Sequence, residues 1–217
     1  ALETEQRILD RFESDKGKLE SLVSVEKTKE HLDAHPNLTK GQREAIYAMA
    51  TTKDRYLGIQ GFAGTGKSTM LETGVALIDT FQKVLGNEVN FVGLAPTHAA
   101  VGELRDKGIE ARTSQSLIQE MIGDDFNPEK YSKTIFFLDE SSMVSNKQMD
   151  QYTDLVKQSQ ARSYKLGDQG QLSSQSAGKP FELGMSRGAI QTVIMKDIVR
   201  QNNPEVLSAV ENVIDRN

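Results

Sequence analysis

One stretch, Gln60-Gly61-Phe62-Ala63-Gly64-Thr65-Gly66-Lys67-Ser68-Thr69, constrains this chain of 217 residues more than any other. A short apolar run from Tyr56 to Gln60 breaks there into glycines, and helix-forming sequence resumes at Ser68. The string fits the pattern G-x-x-x-x-G-K-[ST] without a mismatch. Glycines let the backbone curl until successive N–H groups point at phosphate oxygens, and the helix that follows adds its positive N-terminal end. Lys67 is placed to reach outer phosphates, and the Ser68 hydroxyl to meet a magnesium ion that bridges them. A glycine-rich turn without a ligand is the rival explanation, and the strand before and helix after oppose it.

The rest of the composition narrows the class. A chain of this length buries a sizeable core as one large or two small domains. There is no cysteine, which removes disulfides and thiolate metal sites and is compatible with a cytoplasmic setting. His31, His35 and His98 are too scattered for a metal site, no apolar run approaches a membrane span, and the start is not a signal peptide. The formal net charge is −5, so contact with nucleic acid has to be local rather than spread over a basic surface.

Along the chain, Ile8, Leu9, Phe12, Leu19, Leu22 and Val23 recur near helical spacing, which predicts a helical lead-in broken at Gly17. Residues 1–37 read as that lead-in, and 38–217 as the main domain. Thr39 and Gln42 form a capping-box pattern that opens a helix through Ile46 and Met49. Strands are expected at Tyr56–Gln60, Asn90–Ala95, Thr134–Leu138, Ser163–Leu166 and Ile190–Ile194. Helices are expected at Ser68–Leu85, His98–Lys107 and Ser114–Met121, after a Ser145 cap, near Phe181, and from Pro204. The stretch 123–132 reads as a surface loop. This alternation predicts an α/β fold with a mostly parallel sheet, in which ligands sit at the carboxyl ends of the strands.

Further candidates fall at those ends. The apolar strand Phe136-Phe137-Leu138 runs into Asp139 and Glu140. Asp139 is suited to hold magnesium opposite Ser68, and Glu140 to orient and deprotonate an attacking water. Gln171, in Gly-Asp-Gln-Gly-Gln-Leu, could contact a terminal phosphate or the lytic water; a solvated loop glutamine explains it equally well. Arg200 could neutralise charge on a transferred phosphoryl group, although a surface ion pair is the commoner fate of a lone arginine.

Taken in order, Gln42, GFAGTGKST, LAPTHAAV, FLDESSMV, GDQGQL and IVRQ resemble the RecD-type superfamily 1 helicases. Longer strings, such as APTHAAVGELRDKGIEARTSQSL and AGKPFELGMSRGAIQTVIMKDIVRQ, bring the chain nearest to the motor of TraI-type conjugative relaxase-helicases. The resemblance spans about Thr39 to Glu205. It implies a RecA-like P-loop NTPase domain, ATP and Mg2+ as cofactors, and movement along single-stranded DNA from 5′ to 3′.

Residue by residue, the resemblance gives Gln42 the adenine edge. It gives Gly61, Gly64, Thr65, Gly66, Lys67, Ser68 and Thr69 the phosphates, and Ser68 with Asp139 the metal. Lys67, Asp139, Glu140, Gln171 and Arg200 would carry hydrolysis, with Gln171 coupling it to DNA and Arg200 acting as an arginine finger. Thr97, His98 and Thr113 fall where such motors contact DNA. The later motifs of a second motor domain are missing, as are the clustered histidines and tyrosines of a relaxase domain. The chain is therefore expected to be a fragment, slow or inactive in hydrolysis alone. Its partners would be that second domain, a relaxase domain and conjugative transfer machinery, without membrane insertion. A RecD-type repair helicase, a degenerate domain kept for single-strand binding or secretion recognition, and a small-molecule kinase are the alternatives. The last leaves the APTH, GDQGQL and VRQ strings unexplained.

Overall fold

The computed structural model describes residues 2–61, 64–139, 142–143, 145–168, 188–197 and 199. Two helices, α1 (Leu2–Ser14) and α2 (Val25–Asp33), precede α3 (Lys40–Thr51) and β1 (Tyr56–Gly61). There follow α4 (Lys67–Val84), β2 (Asn90–Ala95), α5 (His98–Asp106), β3 (Glu110–Thr113) and α6 (Ser114–Met121). A 3-10 turn (Pro128–Tyr131) leads to β4 (Thr134–Asp139), α7 (Asn146–Gln158), β5 (Arg162–Asp168) and β6 (Gln191–Met195). The strands form a six-stranded sheet in the order β3-β2-β4-β5-β1-β6. Every pairing in it is parallel.

Parallel strands linked through helices are covered on both faces, so their sequences are apolar at successive positions rather than at alternate ones. In β4, Phe136 and Leu138 join one core cluster while Ile135 and Phe137 join the other. The first cluster includes Ile8 and Phe12 of α1, Leu117 of α6, and Met149, Tyr152 and Val156 of α7. The second includes Ile46 and Met49 of α3 and Met70, Leu71 and Ile78 of α4. Buried tyrosine hydroxyls are satisfied: Tyr56 donates to Thr153 O at 2.9 Å and Tyr164 to Met49 O at 2.7 Å. Among the described residues no helix is long and apolar enough to cross a membrane.

The lead-in packs onto this sheet through α1. Ile8, Leu9 and Phe12 are buried there, each contributing about 1.5–3 kcal/mol, and the Phe12 ring meets Tyr56 edge-on at 5.0 Å. Arg7 and Arg11 bind Asp150 of α7; the exposed Arg7 arm is worth about 0–1 kcal/mol, while the half-buried Arg11 arm adds to the apolar burial that holds the helix.

Three expectations need correction. Leu19, Leu22 and Val23, read as helical beyond the break at Gly17, lie in the non-helical stretch between α1 and α2. The sheet gains a strand, β3, which the sequence left unassigned between α5 and α6. The stretch 123–132 is not simply a surface loop, because its 3-10 turn brings Tyr131 into the core, 5.4 Å from the Phe136 ring. The helices expected near Phe181 and from Pro204 lie outside the described residues.

Candidate nucleotide-binding site

Because all strands run one way, their carboxyl ends share one edge, and the glycine-rich loop leaves β1 on that edge. Gly61 stands in register with Asp168 of β5 and Met195 of β6. Asp139 pairs with Leu166, which pairs with Ile59 of β1. With one strand between them, β4 and β1 lie about 10 Å apart, wide enough for phosphates and a hydrated cation between α4 and Asp139.

The loop closes onto α4 at Gly66, whose φ of 76° and ψ of 40° are left-handed and therefore favour glycine. A Cβ there would also collide with Gln42 Nε2 and lie 2.8 Å from Val199 Cγ2. No side chain caps α4, which leaves its first N–H groups pointing into the loop. Lys67 opens the helix and extends its Nζ toward Gly167 O of β5, a long contact of 3.5 Å. Ser68 and Thr69 are exposed in the first turn, Gly64 and Gly66 are half-buried, and Thr65 is fully buried. Thr65 packs so close to Gly61 that a Cβ on Gly61 would sit 2.8 Å from its Oγ1.

Gln42 is buried, and both ends of its amide are engaged. Its Oε1 accepts Thr39 N–H at 2.9 Å, completing the capping box, and its Nε2 donates to Gly66 O at 3.1 Å. The capping reading of Thr39 and Gln42 is thus realised, with a tie to the phosphate loop that the sequence did not signal. Nε2 has a second N–H and Oε1 a second lone pair, so the amide can still meet a further donor–acceptor pair.

These features fit a bound nucleotide. The tight curl, the uncapped helix start, the Lys67 ammonium and two hydroxyls suit polyphosphate. A hydroxyl at the start of α4 and a carboxylate at the end of β4, two strands from β1 on the same sheet edge, are the residue types that suit magnesium, which takes most of its ligands from water and phosphate. Among the described residues no three His, Asp or Glu side chains gather into a metal cluster of their own.

At the other end of the same edge, Ala95 and Thr113 are in register, which sets the starts of α5 and α6 side by side. Thr97 Oγ1 accepts Ala100 N–H at 3.1 Å and Thr113 Oγ1 accepts Ser116 N–H at 3.2 Å, so both threonines are helix N-caps. His98 is exposed as the first residue of α5. Between the two ends, Ser142 Oγ donates to Leu94 O at 3.0 Å and Ser114 Oγ to Ser142 O at 2.8 Å, pinning the segment after β4 to β2 and α6. Glu140, Gln171 and Arg200 lie outside the described residues.

A family model described as an AAA domain matches residues 37–216. The chain belongs to the AAA domain family. This AAA domain is 39% identical over 184 residues to the multifunctional conjugation protein TraI of Escherichia coli, covering 82% of the chain and 10% of TraI. It is 30% identical over 154 residues to the conjugal transfer protein TraA of Agrobacterium fabrum, covering 70% of the chain and 13% of TraA. In structure it is similar to the Pif1 helicase of Candida albicans, with a TM-score of 0.56 and 20% identity over 83% of the chain and 44% of that structure. The resemblance to TraI-type relaxase-helicases read from the motifs is borne out, and so is the RecA-like fold. The AAA domain spans about a tenth of the length of the TraI proteins it matches.

Proposed function

We propose that this chain is the first motor domain of a conjugative DNA helicase, binding ATP with magnesium and driving movement along single-stranded DNA from 5′ to 3′. In this reading residues 38–217 form the motor domain and 1–37 its helical lead-in. The observation that carries the reading is the apposition of the uncapped α4 start, with Lys67 and Ser68, to Asp139 across one intervening strand. The likeness to TraI and TraA supports the conjugative setting.

Lys67 and the loop N–H groups hold the outer phosphates. Ser68 and Asp139 hold magnesium, which when bound neutralises phosphate charge. Glu140 takes the proton of the attacking water, Gln171 couples the terminal phosphate to DNA, and Arg200 offsets charge on the phosphoryl group. The free valences of the Gln42 amide match adenine N7 and its exocyclic amine, a pairing guanine does not offer. Thr97, His98, Thr113 and the adjoining N–H groups grip DNA phosphates without reading sequence.

The test is DNA-stimulated ATPase, comparing this chain with a longer one continued through a second motor domain. Stimulation in the longer chain, lost in Lys67→Ala, is the expected outcome. Nucleotide binding that survives Lys67→Ala unchanged, or no stimulation in either chain, overturns the proposal.

A further inference from the structure

Selectivity for a base needs a donor and an acceptor held at fixed places, and the Gln42 amide is held at both ends. Its Oε1 takes Thr39 N–H and its Nε2 gives to Gly66 O, so a half-turn of the amide would set donor against donor and acceptor against acceptor. What fixes that amide in space is the seat of α3 on β6. Gly41, the residue before Gln42, lies so close to this edge strand that a Cβ would sit 3.0 Å from Met195 Cα. Its N–H donates to Asp197 Oδ2 at 2.8 Å. A carboxylate on the first turn of a helix is favoured by the unpaired N–H groups and the helix dipole. Met195 stands in register with Gly61, from which the phosphate loop departs. The supports thus close a ring: β1 into the loop, Gly66 to Gln42, Gly41 to Asp197, and β6 back to β1. The loop has a separate hold, because Val199 N–H donates to Gly64 O at 2.9 Å.

We propose that Asp197 is a positioning residue for base selectivity: by holding Gly41, its carboxylate keeps Gln42 at the depth where the amide meets adenine and turns guanine away. This rests on the reading above, in which Gln42 meets the adenine edge. Without the carboxylate the start of α3 draws back from β6, the 3.1 Å bond from Nε2 to Gly66 O opens, and the amide turns freely. A freed amide can point its amino group at the N7 and O6 acceptors of guanine, so the distinction between the bases fades. Asp197 acts through Gly41 alone, and its loss lowers the preference without removing the phosphate site.

The experiment compares wild-type chain with Gln42→Ala, Asp197→Ala and Asp197→Asn. Affinities are measured for magnesium–ADP, magnesium–GDP and magnesium tripolyphosphate, which carries phosphates without a base. Wild type is expected to favour ADP over GDP by about 5- to 150-fold, the discrimination of one bidentate pairing of an amide with a base. Gln42→Ala loses that preference. Asp197→Ala lowers it by about threefold or more and binds tripolyphosphate within about twofold of wild type. Asp197→Asn, whose amide oxygen still accepts from Gly41 N–H, retains most of it. If Asp197→Ala changes the preference by less than about threefold or weakens tripolyphosphate as much as ADP, or if Asp197→Asn loses as much as Asp197→Ala, then Asp197 does not position Gln42, whose own role stands. If wild type shows no preference, or Gln42→Ala keeps it, the role given to Gln42 fails and the proposal falls with it.

Discussion

Gly66→Ala isolates the packing that shapes the phosphate loop. Two costs add. A residue with a Cβ held at φ 76° loses about 1–2 kcal/mol. The new methyl group must also displace Gln42 Nε2 and Val199 Cγ2, and overpacking of this kind costs about 1–3 kcal/mol. In a chain of this size each kcal/mol lowers Tm by about 2–4 °C, so a fall of roughly 10 °C is expected by circular dichroism. Gly86→Ala is the control, because Gly86 has φ +80° and open space around its missing Cβ, leaving only the backbone cost. The pair should therefore differ by several degrees. Adding Gln42→Ala completes the argument: with the amide gone, Gly66→Ala should cost less than it does in wild type, a coupling of about 0.5–3 kcal/mol. Equal costs for Gly66→Ala and Gly86→Ala, or no coupling to Gln42, would refute the account.

Two pH effects follow from the lead-in. Hydrogen bonding from Arg7, then from Arg11, with the charges of both, holds the Asp150 carboxyl below its ordinary range despite some burial. Its folded pKa lies under the unfolded one, so its stabilisation is present above about pH 4 and is lost as pH falls through the folded value. Asp150→Asn should show a shallower loss of urea stability below pH 4, and a slope equal to wild type would count against the pairing. Burial, with a smaller push from His35, lowers the pKa of His31. The unfolded chain then binds that proton more readily, so stability falls as pH drops through about 6.5. His31→Leu should flatten the urea midpoint between pH 7 and 5, and an unchanged slope would assign the effect elsewhere.

The central strands were legible because burial on both faces makes them apolar throughout; Asn90–Ala95 and the helix Ser114–Met121 have the bounds expected from sequence. Glu110-Ala111-Arg112-Thr113 was not, since an edge strand needs one buried side chain, here Ala111, and two charged neighbours hide it. Tyr131 escaped notice for a similar reason: Phe126 and Tyr131, five residues apart among polar residues, set no periodicity. Of the site, the loop announces itself because its geometry demands glycines at fixed spacing. Gln42 was ambiguous because one amide serves the cap and the loop together. Asp197 and Val199 were missed because they act through one carboxylate and one backbone N–H, which leave no pattern in sequence beyond their nearness to Arg200.

The strand order also bears on how the chain is made. β1 pairs with β5 and β6, both far downstream, and with no strand near it in sequence. A ribosome adding about 5–20 residues per second needs on the order of ten seconds to reach β5 after releasing β1. Throughout that interval both edges of β1 stay bare, while β2, β3 and β4 can already associate. Long-range parallel pairing of this kind is slow and exposes unpaired strand to other chains. Gly58, Gln60 and Gly61 make β1 a poor template for such encounters. The glycine at the mouth of the phosphate loop thus also protects the nascent chain.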